Sequence, residues 1–266
     1  MICRICTNGK GLKTLLVLKA QYIHCPVCHC LFVDPFPRRE LNLAFQGAET
    51  IERLEKEDEQ RRGYFLKRLE RLEKRIGEIH QGMRLLDAGC GAGILIREAR
   101  LRGWSADGVE LSAELAARAR LNNPEANIIT GDIQNQEPEG RGYEVVISLD
   151  VLEHVLSPIN MVESCREMLK PGGLLMLQTP NTRSLRNRIQ GAKWEMLDPD
   201  QHLNLFSPDA LRVLLTTVGF EILEMTTASG TGLEKGTASL VAQVKESLLG
   251  VLNLGNALLV VARRPL

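Results

Sequence analysis

The sequence lacks the marks of membrane, secreted and dedicated nucleic-acid-binding proteins. No apolar run reaches the roughly 18 residues that a membrane-spanning helix needs. The opening residues, Met1–Cys6, do not combine a basic region with an apolar one, as a secretory signal peptide does. The 33 lysines and arginines balance 33 aspartates and glutamates, whereas proteins that bind duplex DNA or RNA usually carry a basic surface. These absences predict a cytoplasmic protein without a membrane span, and they disfavour a nucleic-acid partner.

Cysteine is scarce after residue 30 but clustered before it. Five of the seven cysteines lie in the first thirty residues, where two Cys-x-x-Cys pairs are separated by eighteen residues. This is the spacing of a four-cysteine zinc ribbon, and in a reducing compartment such a set binds metal rather than forming disulfides. We therefore predict a small zinc ribbon over residues 1–37, in which His29 or Cys30 is an alternative ligand. The predicted zinc ligands are Cys3, Cys6, Cys25 and Cys28.

A glycine-rich turn follows a short apolar run at residues 85–93, Leu-Leu-Asp-Ala-Gly-Cys-Gly-Ala-Gly. A strand, a glycine loop and a helix form a turn whose exposed N–H groups bind nucleotide-like ligands, although tight turns also use glycine for steric reasons alone. The glycines are spaced G-x-G-x-G, not the G-x-G-x-x-G of dinucleotide-binding proteins. Asp87 would repel a pyrophosphate but suits an amino group. The pattern therefore predicts S-adenosylmethionine, which carries an ammonium and an adenosine but no phosphate.

Glu110 ends the next apolar run, 17 positions after Gly93. This is close to the roughly 20-residue offset of an acid that binds ribose hydroxyls. With Gly131-Asp132 and Leu169-Lys-Pro-Gly-Gly173, the series resembles the motifs of class I S-adenosylmethionine-dependent methyltransferases. The resemblance implies a doubly wound, seven-stranded, mostly parallel sheet with one antiparallel strand near its edge. The cofactor-binding residues that these motifs and the resemblance indicate are Asp87, Gly89, Cys90, Gly91, Gly93, Glu110, Leu111, Asp132, Ile133, Leu149 and Asp150.

Strand-like and helical patterns alternate from residue 83 onward, which predicts an α/β fold with parallel strands. Residues 38–80 are helical in pattern and precede the first strand, where the resemblance places a helix that covers the cofactor. We therefore predict a ribbon over 1–37, a helical connector over 38–80 and a methyltransferase domain over 81–266. The predicted strands are 83–88, 105–109, 127–130, 143–149, 173–178, 220–226 and 257–263, and the predicted helices lie near 93–102, 112–121, 158–169 and 207–218.

Two histidines are candidates for acid–base chemistry. His154 ends Asp-Val-Leu-Glu-His, which resembles many small-molecule methyltransferases and differs from the Asn/Asp-Pro-Pro-Tyr/Phe signature of enzymes that methylate nitrogens in nucleic acids and proteins. His202 begins His-Leu-x-x-Phe-Ser, which resembles the branch that includes ubiquinone-biosynthesis O-methyltransferases, where this histidine faces the substrate pocket. A neutral imidazole near pH 7 can take a proton from a hydroxyl. We favour His202 as the general base, with His154 as the alternative.

A basic stretch without obvious structure, residues 182–194, follows the fifth predicted strand. Long loops of this kind are usually functional or disordered. Its charge and its tryptophan suit an anionic, partly planar or sugar-like substrate, and a solvated loop packed over Trp194 is the alternative. A further stretch, residues 226–256, contains a mildly amphipathic run that indicates a lid or a dimer contact. The candidate substrate-binding residues are Arg183, Arg186 and Trp194.

These features predict methyl transfer from S-adenosylmethionine to a hydroxyl, or to a carbon or nitrogen nucleophile, of a small metabolite. Zinc would be structural, and the partner would be the small-molecule acceptor, with a homodimer left open. One alternative is an RNA base methyltransferase that uses the ribbon to contact RNA, which the charge balance and the missing signature oppose. The other is a non-catalytic, ribbon-based interaction protein, which the intact set of acids and glycines opposes.

Overall fold

The computed structural model describes residues 2–7, 9–17, 20–34, 48–80, 82–136, 142–228 and 254–266. Its strands are β1 (Lys13–Val17), β2 (Ala20–His24), β3 (Leu31–Val33), β4 (Arg84–Ala88), β5 (Ser105–Glu110), β6 (Ile128–Thr130), β7 (Tyr143–Leu149), β8 (Leu169–Pro180), β9 (Asn204–Leu205), β10 (Glu221–Ala228) and β11 (Ala257–Arg263). Its helices are α1 (Ala48–Gln60), α2 (Arg62–Ile76), α3 (Ile94–Leu101), α4 (Ala113–Asn122), α5 (Pro158–Met168), α6 (Leu185–Gln190) and α7 (Pro208–Thr217). Within the described residues, no helix has the length and apolar character needed to cross a membrane.

The larger of two β-sheets has seven strands in the order β10-β11-β8-β7-β4-β5-β6. The strands from β8 to β6 pair in parallel, whereas β11 is antiparallel to both β8 and β10. This confirms the predicted mostly parallel sheet, with the antiparallel strand second from the edge. Because parallel strands need crossover connections, the helices between them lie on the faces of the sheet.

Alternating side chains of the central strands supply the core on both faces of this sheet. Leu85 in β4 joins a cluster with Ile94 of α3, while the next residue, Leu86, joins a cluster with Met161 of α5 and Leu211 of α7. Successive residues of a strand point to opposite faces, so a strand covered on both sides is apolar throughout. This explains why the strands of the larger sheet occur in the amino-acid sequence as short apolar runs.

Serine caps begin three of the helices that the sequence predicts. The side chains of Ser112, Ser157 and Ser207 each accept a hydrogen bond from a backbone N–H three residues further on. Pro208 occupies the first turn of α7, where its missing N–H costs nothing. The predicted start of this helix is therefore confirmed.

The smaller sheet joins the cysteine-rich segment to the rest of the chain. Strands β1, β2 and β3 form an antiparallel meander, and β9 pairs with the free edge of β3. The ribbon core is also continuous with the main core, since Phe32 and the cysteines belong to the same cluster as Phe206 and Ala210. The sequence did not predict β9, because two residues are too few to show a strand pattern.

The N-terminal helices and the basic stretch differ in part from the predictions. Residues 38–80 were predicted to be helical, and their described part contains α1 and α2, of which α2 packs on α3. The basic stretch 182–194 was predicted to be a loop, but it contains α6, which begins where the Ser184 hydroxyl accepts a bond from the Asn187 N–H. Most of the stretch 226–256, with its amphipathic run, lies outside the described residues.

Candidate functional site

The glycine loop between β4 and α3 is a tight turn whose backbone conformation requires glycine. Gly89, Gly91 and Gly93 all have positive φ, at 89°, 53° and 80°. A side chain at Gly89 would strike Val151, and one at Gly93 would lie 2.5 Å from the Asn123 amide nitrogen. Steric need therefore accounts for at least two of these glycines, so the ligand has to be inferred from the charges around the loop.

Glu110 lies directly beside this loop because β5 pairs in parallel with β4. Its two carboxylate oxygens accept hydrogen bonds from the Gly91 N–H at 2.9 Å and the Ser112 N–H at 2.8 Å. The side chain is only 9% exposed, and burial raises its pKa. The loop and Glu110 are thus one hydrogen-bonded unit, in which the remaining lone pairs of the carboxylate can accept from a ligand.

Two further acids surround the same loop. Asp87 is buried at the end of β4, and burial together with the charges of Asp58 and Glu110 raises its pKa to about 8. Asp58, in the last turn of α1, accepts a hydrogen bond from the Ala92 N–H, and burial raises its pKa to about 6. Arg61 lies 3.9 Å from Asp58, but the raised pKa of Asp87 indicates that repulsion among the three carboxyl groups remains, which favours a positively charged ligand.

Asp58 was not among the predicted site residues. It lies nearly thirty positions before Asp87 in a run dense in both charge signs, and such runs usually form a solvated helix face. The helical pattern around residue 58 could have indicated the helix, but nothing local indicates that this carboxylate meets the glycine loop.

A polar network closes the edge of the sheet next to the loop. Arg61 donates to the Asp150 carboxylate at 2.6 Å, and Gln178 donates to its other oxygen at 2.9 Å. Gln178 also donates to the Tyr64 hydroxyl and accepts from Arg68 at 2.7 Å. Asp150 has a positive φ of 58°, a conformation that is uncommon outside glycine and clusters at functional sites. Helix α2 therefore lies over the carboxyl ends of β7 and β8.

The remaining predicted cofactor residues flank this edge. Asp132 accepts from the Gln134 N–H at 2.9 Å and begins a short 3-10 helix, in which Ile133 is buried. Leu111 is 44% exposed, beside Glu110. The Cys90 side chain is buried beneath the loop, and Leu149 ends β7 next to Asp150.

Three titratable side chains gather near Asp150, whose charge acts on Glu153 and His154. The Glu153, His154 and His202 ligand atoms all lie within 4.8 Å of one another, and the two imidazole rings are 5.0 Å apart. Glu153 is buried, accepts from the Thr179 hydroxyl at 3.0 Å, and has its pKa raised to about 8 by burial and by the charge of Asp150. A carboxylate and two imidazoles can exchange protons. The same groups are also ligands of divalent metal ions.

The two histidines are held in one tautomer by backbone carbonyls. Nδ1 of His154 lies 2.8 Å from the Gln201 carbonyl, and Nδ1 of His202 lies 2.8 Å from the Met196 carbonyl. A carbonyl oxygen can only accept, so each Nδ1 carries the hydrogen and the lone pair of a neutral ring is on Nε2. Burial lowers the pKa of both rings, which keeps them neutral near pH 7.

The basic stretch contributes less charge and less aromatic surface than the sequence suggested. Arg183 pairs with Asp209 at 2.6 Å, and Arg186 pairs with Glu195 at 2.9 Å. Trp194 is 2% exposed and lies in a cluster with residues of the ribbon. This placement favours the packing alternative over a substrate contact for Trp194, because its large ring is enclosed by apolar side chains.

The cysteine cluster has the donor set of a structural zinc site. The Sγ atoms of the two Cys-x-x-Cys pairs all lie within 4.8 Å of one another, and three of the four thiols are buried. The Cys3 Sγ lies 3.6 Å from the Cys28 Sγ, and a bound metal ion would require these thiols to be deprotonated. Cys30 lies 3.3 Å from Cys3, so it is close enough to replace a ligand, while His29 stacks on His24.

Residues 58–225 match a protein family that is described as a methyltransferase domain. The chain belongs to this family. The matched residues begin at Asp58 and end within β10, so they include the glycine loop, the acids around it and both histidines. The ribbon lies outside the match.

The curated relatives of this chain include ubiquinone biosynthesis O-methyltransferases. The ubiquinone biosynthesis O-methyltransferase of Cereibacter sphaeroides is 34% identical over 152 residues, which cover 53% of this chain and 61% of that protein. The protein of the same name from Marinobacter nauticus is 32% identical over 158 residues, which cover 54% and 66%. The chain thus spans less than two thirds of the length of these relatives.

Solved structures share the fold. Phosphoethanolamine N-methyltransferase 2 from Haemonchus contortus matches 89% of this chain and 63% of its own with a TM-score of 0.61 and 19% identity. A possible histamine N-methyltransferase from Thermotoga maritima matches 85% of this chain and all of its own with a TM-score of 0.59 and 17% identity. These likenesses confirm the predicted class I methyltransferase fold.

The cysteine cluster generates the first prediction. We expect about one zinc per chain by elemental analysis, since four thiolates close a tetrahedral site. Cys25→Ser should lose the zinc, whereas Cys165→Ser, which removes a buried thiol elsewhere, should retain it. Loss of zinc in Cys30→Ser would instead indicate that Cys30 is a ligand. Wild-type protein that contains no zinc, and whose melting temperature does not change when zinc is added, would contradict the prediction.

Glu110 generates the second prediction. Glu110→Ala should weaken S-adenosylmethionine binding about ten- to a hundredfold, because charge-assisted hydrogen bonds contribute about 1.5–3 kcal/mol. Titration calorimetry measures this, with Glu125→Ala, an exposed acid outside the site, as the matched control. Equal affinities of the two variants would place the cofactor elsewhere.

The raised pKa of Asp87 generates the third prediction. Below about pH 8 the carboxyl group of the free protein holds a proton, and a cationic ligand favours the carboxylate, so binding must release that proton. Affinity for S-adenosylmethionine should therefore rise between pH 5.5 and 7.5, by up to about tenfold per pH unit for one proton. Asp87→Asn should flatten this dependence, and a flat profile in the unsubstituted protein would contradict it.

Proposed function

We propose that this protein transfers a methyl group from S-adenosylmethionine to a hydroxyl group of a small metabolite. The observation that carries the proposal is that two clusters of titratable side chains lie close together at one edge of the sheet. The acids Asp58, Asp87 and Glu110 surround the glycine loop, and the half-buried pair His154 and His202 lies with Glu153 near Asp150. A cationic cofactor and an acceptor that must lose a proton fit these two clusters.

Each residue has a defined part in this proposal. When bound, S-adenosylmethionine would supply a methyl group on a positively charged sulfur, which would leave as S-adenosylhomocysteine when the acceptor oxygen takes the methyl carbon. Asp87 holds the amino group of the cofactor, and Glu110 accepts from its ribose hydroxyls. His202, whose ring is neutral near pH 7, takes the acceptor proton at Nε2 beside Glu153. Positioning of the two reactants supplies much of the remaining rate enhancement.

The relatives support a hydroxyl acceptor, because they are named as O-methyltransferases. Arg183 and Arg186, on the stretch that leaves the end of β8, are proposed to exchange their ion pairs with Asp209 and Glu195 for an anionic group of the acceptor. Zinc, held by the two Cys-x-x-Cys pairs, is structural in this proposal, since four thiolates leave no coordination position for a substrate. RNA base methylation remains the less favoured alternative because the chain has no net positive charge.

The experiment is a transfer assay with isotopically methyl-labelled S-adenosylmethionine and a panel of phenols, sugars, amines and short RNAs. We expect labelled product from a hydroxyl acceptor. Product from RNA alone would replace this proposal by the alternative, and absence of product from a protein that binds the cofactor tightly would favour a non-catalytic role.

His202 generates the fourth prediction. His202→Ala should lower the methylation rate about 10²–10⁴-fold, the usual contribution of a general base, and leave S-adenosylmethionine affinity unchanged. His80→Ala, which removes an exposed imidazole far from the site, is the matched control. If both variants retain the full rate while His154→Ala does not, the base is His154.

A further inference from the structure

The segment that carries His202 is held between the ribbon and the main domain. On one side, Asn204 pairs with Phe32 of β3, and the Val33 N–H donates to the Leu203 carbonyl at 2.9 Å. On the other side, the Leu203 and Asn204 N–H groups both donate to the Glu153 carbonyl, at 2.8 and 3.0 Å. The backbone of β9 therefore joins a ribbon strand to the loop that bears Glu153 and His154.

A ribbon side chain holds the His202 backbone itself. The Tyr22 hydroxyl donates to the His202 carbonyl at 2.8 Å across 180 residues of sequence. Tyr22 is fully buried, and burial raises the pKa of its hydroxyl, so it remains a neutral donor. Its ring packs in one cluster with Trp194 and Leu205.

The other end of the segment is hydrogen-bonded to the second Cys-x-x-Cys pair. The Ser207 hydroxyl donates to the Cys28 carbonyl at 2.8 Å and accepts from the Ala210 N–H at 3.1 Å. One side chain thus caps α7 and ties the helix start to the predicted zinc site. Residues 202–207 are consequently bonded to the ribbon at both ends and in the middle.

The ribbon also contacts the imidazole of His202 indirectly, through Met196. Its Nδ1 is bonded to the carbonyl of Met196, whose side chain packs against the cluster that contains Tyr22 and Trp194. The ribbon therefore contacts both the backbone of His202 and the residue that orients its ring. Nothing comparable links the described part of the ribbon to the glycine loop.

We propose that the ribbon is an internal brace of the acceptor side of the site, and that Tyr22 is a positioning residue for His202. This rests on the proposed function, in which His202 acts on the acceptor. The brace predicts that disturbing Tyr22 changes His202 and its neighbours and leaves cofactor binding unchanged. A ribbon that served only as a nucleic-acid or protein contact would not affect His202.

The test uses the full-length protein with Tyr22→Phe, which removes only the hydroxyl. Tyr143→Phe is the matched control, because Tyr143 is a buried tyrosine whose hydroxyl donates to Asp107 at 3.0 Å, away from this segment. Hydrogen exchange of residues 202–207, the His202 pKa by NMR with labelled histidine, S-adenosylhomocysteine affinity and zinc content are measured. None of these measurements requires a known acceptor.

In Tyr22→Phe we expect exchange at residues 202–207 to quicken about two- to tenfold, the factor expected for one buried hydrogen bond. The His202 pKa should rise toward its ordinary value as the ring gains water, with Glu153, His154 and Asp198 still facing it. Zinc content and S-adenosylhomocysteine affinity should stay unchanged, and Tyr143→Phe should change none of the four.

Unchanged exchange and an unchanged His202 pKa in Tyr22→Phe would overturn the brace. Equal changes in Tyr143→Phe would also overturn it, because the effect would then be general destabilisation. If the expected changes occur in a protein that methylates no hydroxyl, the brace is supported and the proposed function is not.

Discussion

The parallel pairing of β4 with β5 and β7 is the constraint on which the candidate site depends. Asp87 of β4 lies opposite Gly108 on one side and Ile147 on the other. In this register the three strands end at one edge of the sheet, so Asp87, Glu110 and Asp150 meet there although they are widely spaced in sequence. Ligands of doubly wound folds bind at such an edge because the carboxyl ends of the strands leave a crevice between the following loops.

The same architecture makes the carboxyl groups energetically costly. A sheet covered on both faces removes water from its strand ends, and a buried carboxylate without a partner is unfavourable. Backbone N–H groups offset part of this cost at Glu110, and Arg61 offsets part of it at Asp150. Asp58, although it lies 3.9 Å from Arg61, and Asp87 keep raised pKa values. A cationic ligand would relieve this repulsion, so the local electrostatics agree with the family to which the chain belongs.

The ribbon and the methyltransferase-type domain depend on each other through a very short strand. A segment as small as the ribbon buries little apolar surface by itself, and metal or packing against a larger body has to supply the missing stability. Here its buried residues join the core of the larger domain, and β9 extends its sheet. The ribbon is therefore part of the domain structure and not an appendage on a linker, which places its strands beside the two histidines.

The sequence by itself determined the strands of the larger sheet, the cysteine pairs and the glycine turn, because each is encoded in a local pattern of a few residues, whereas it missed β9 and α6. It also indicated Asp87 and Glu110, since their distance from the glycines is set by strand and helix length. Only the tertiary structure decided that Asp58 joins these acids, that Trp194 is enclosed and that Tyr22 holds His202. Those outcomes depend on which surfaces meet across long stretches of chain, and a local pattern carries no information about its distant partner.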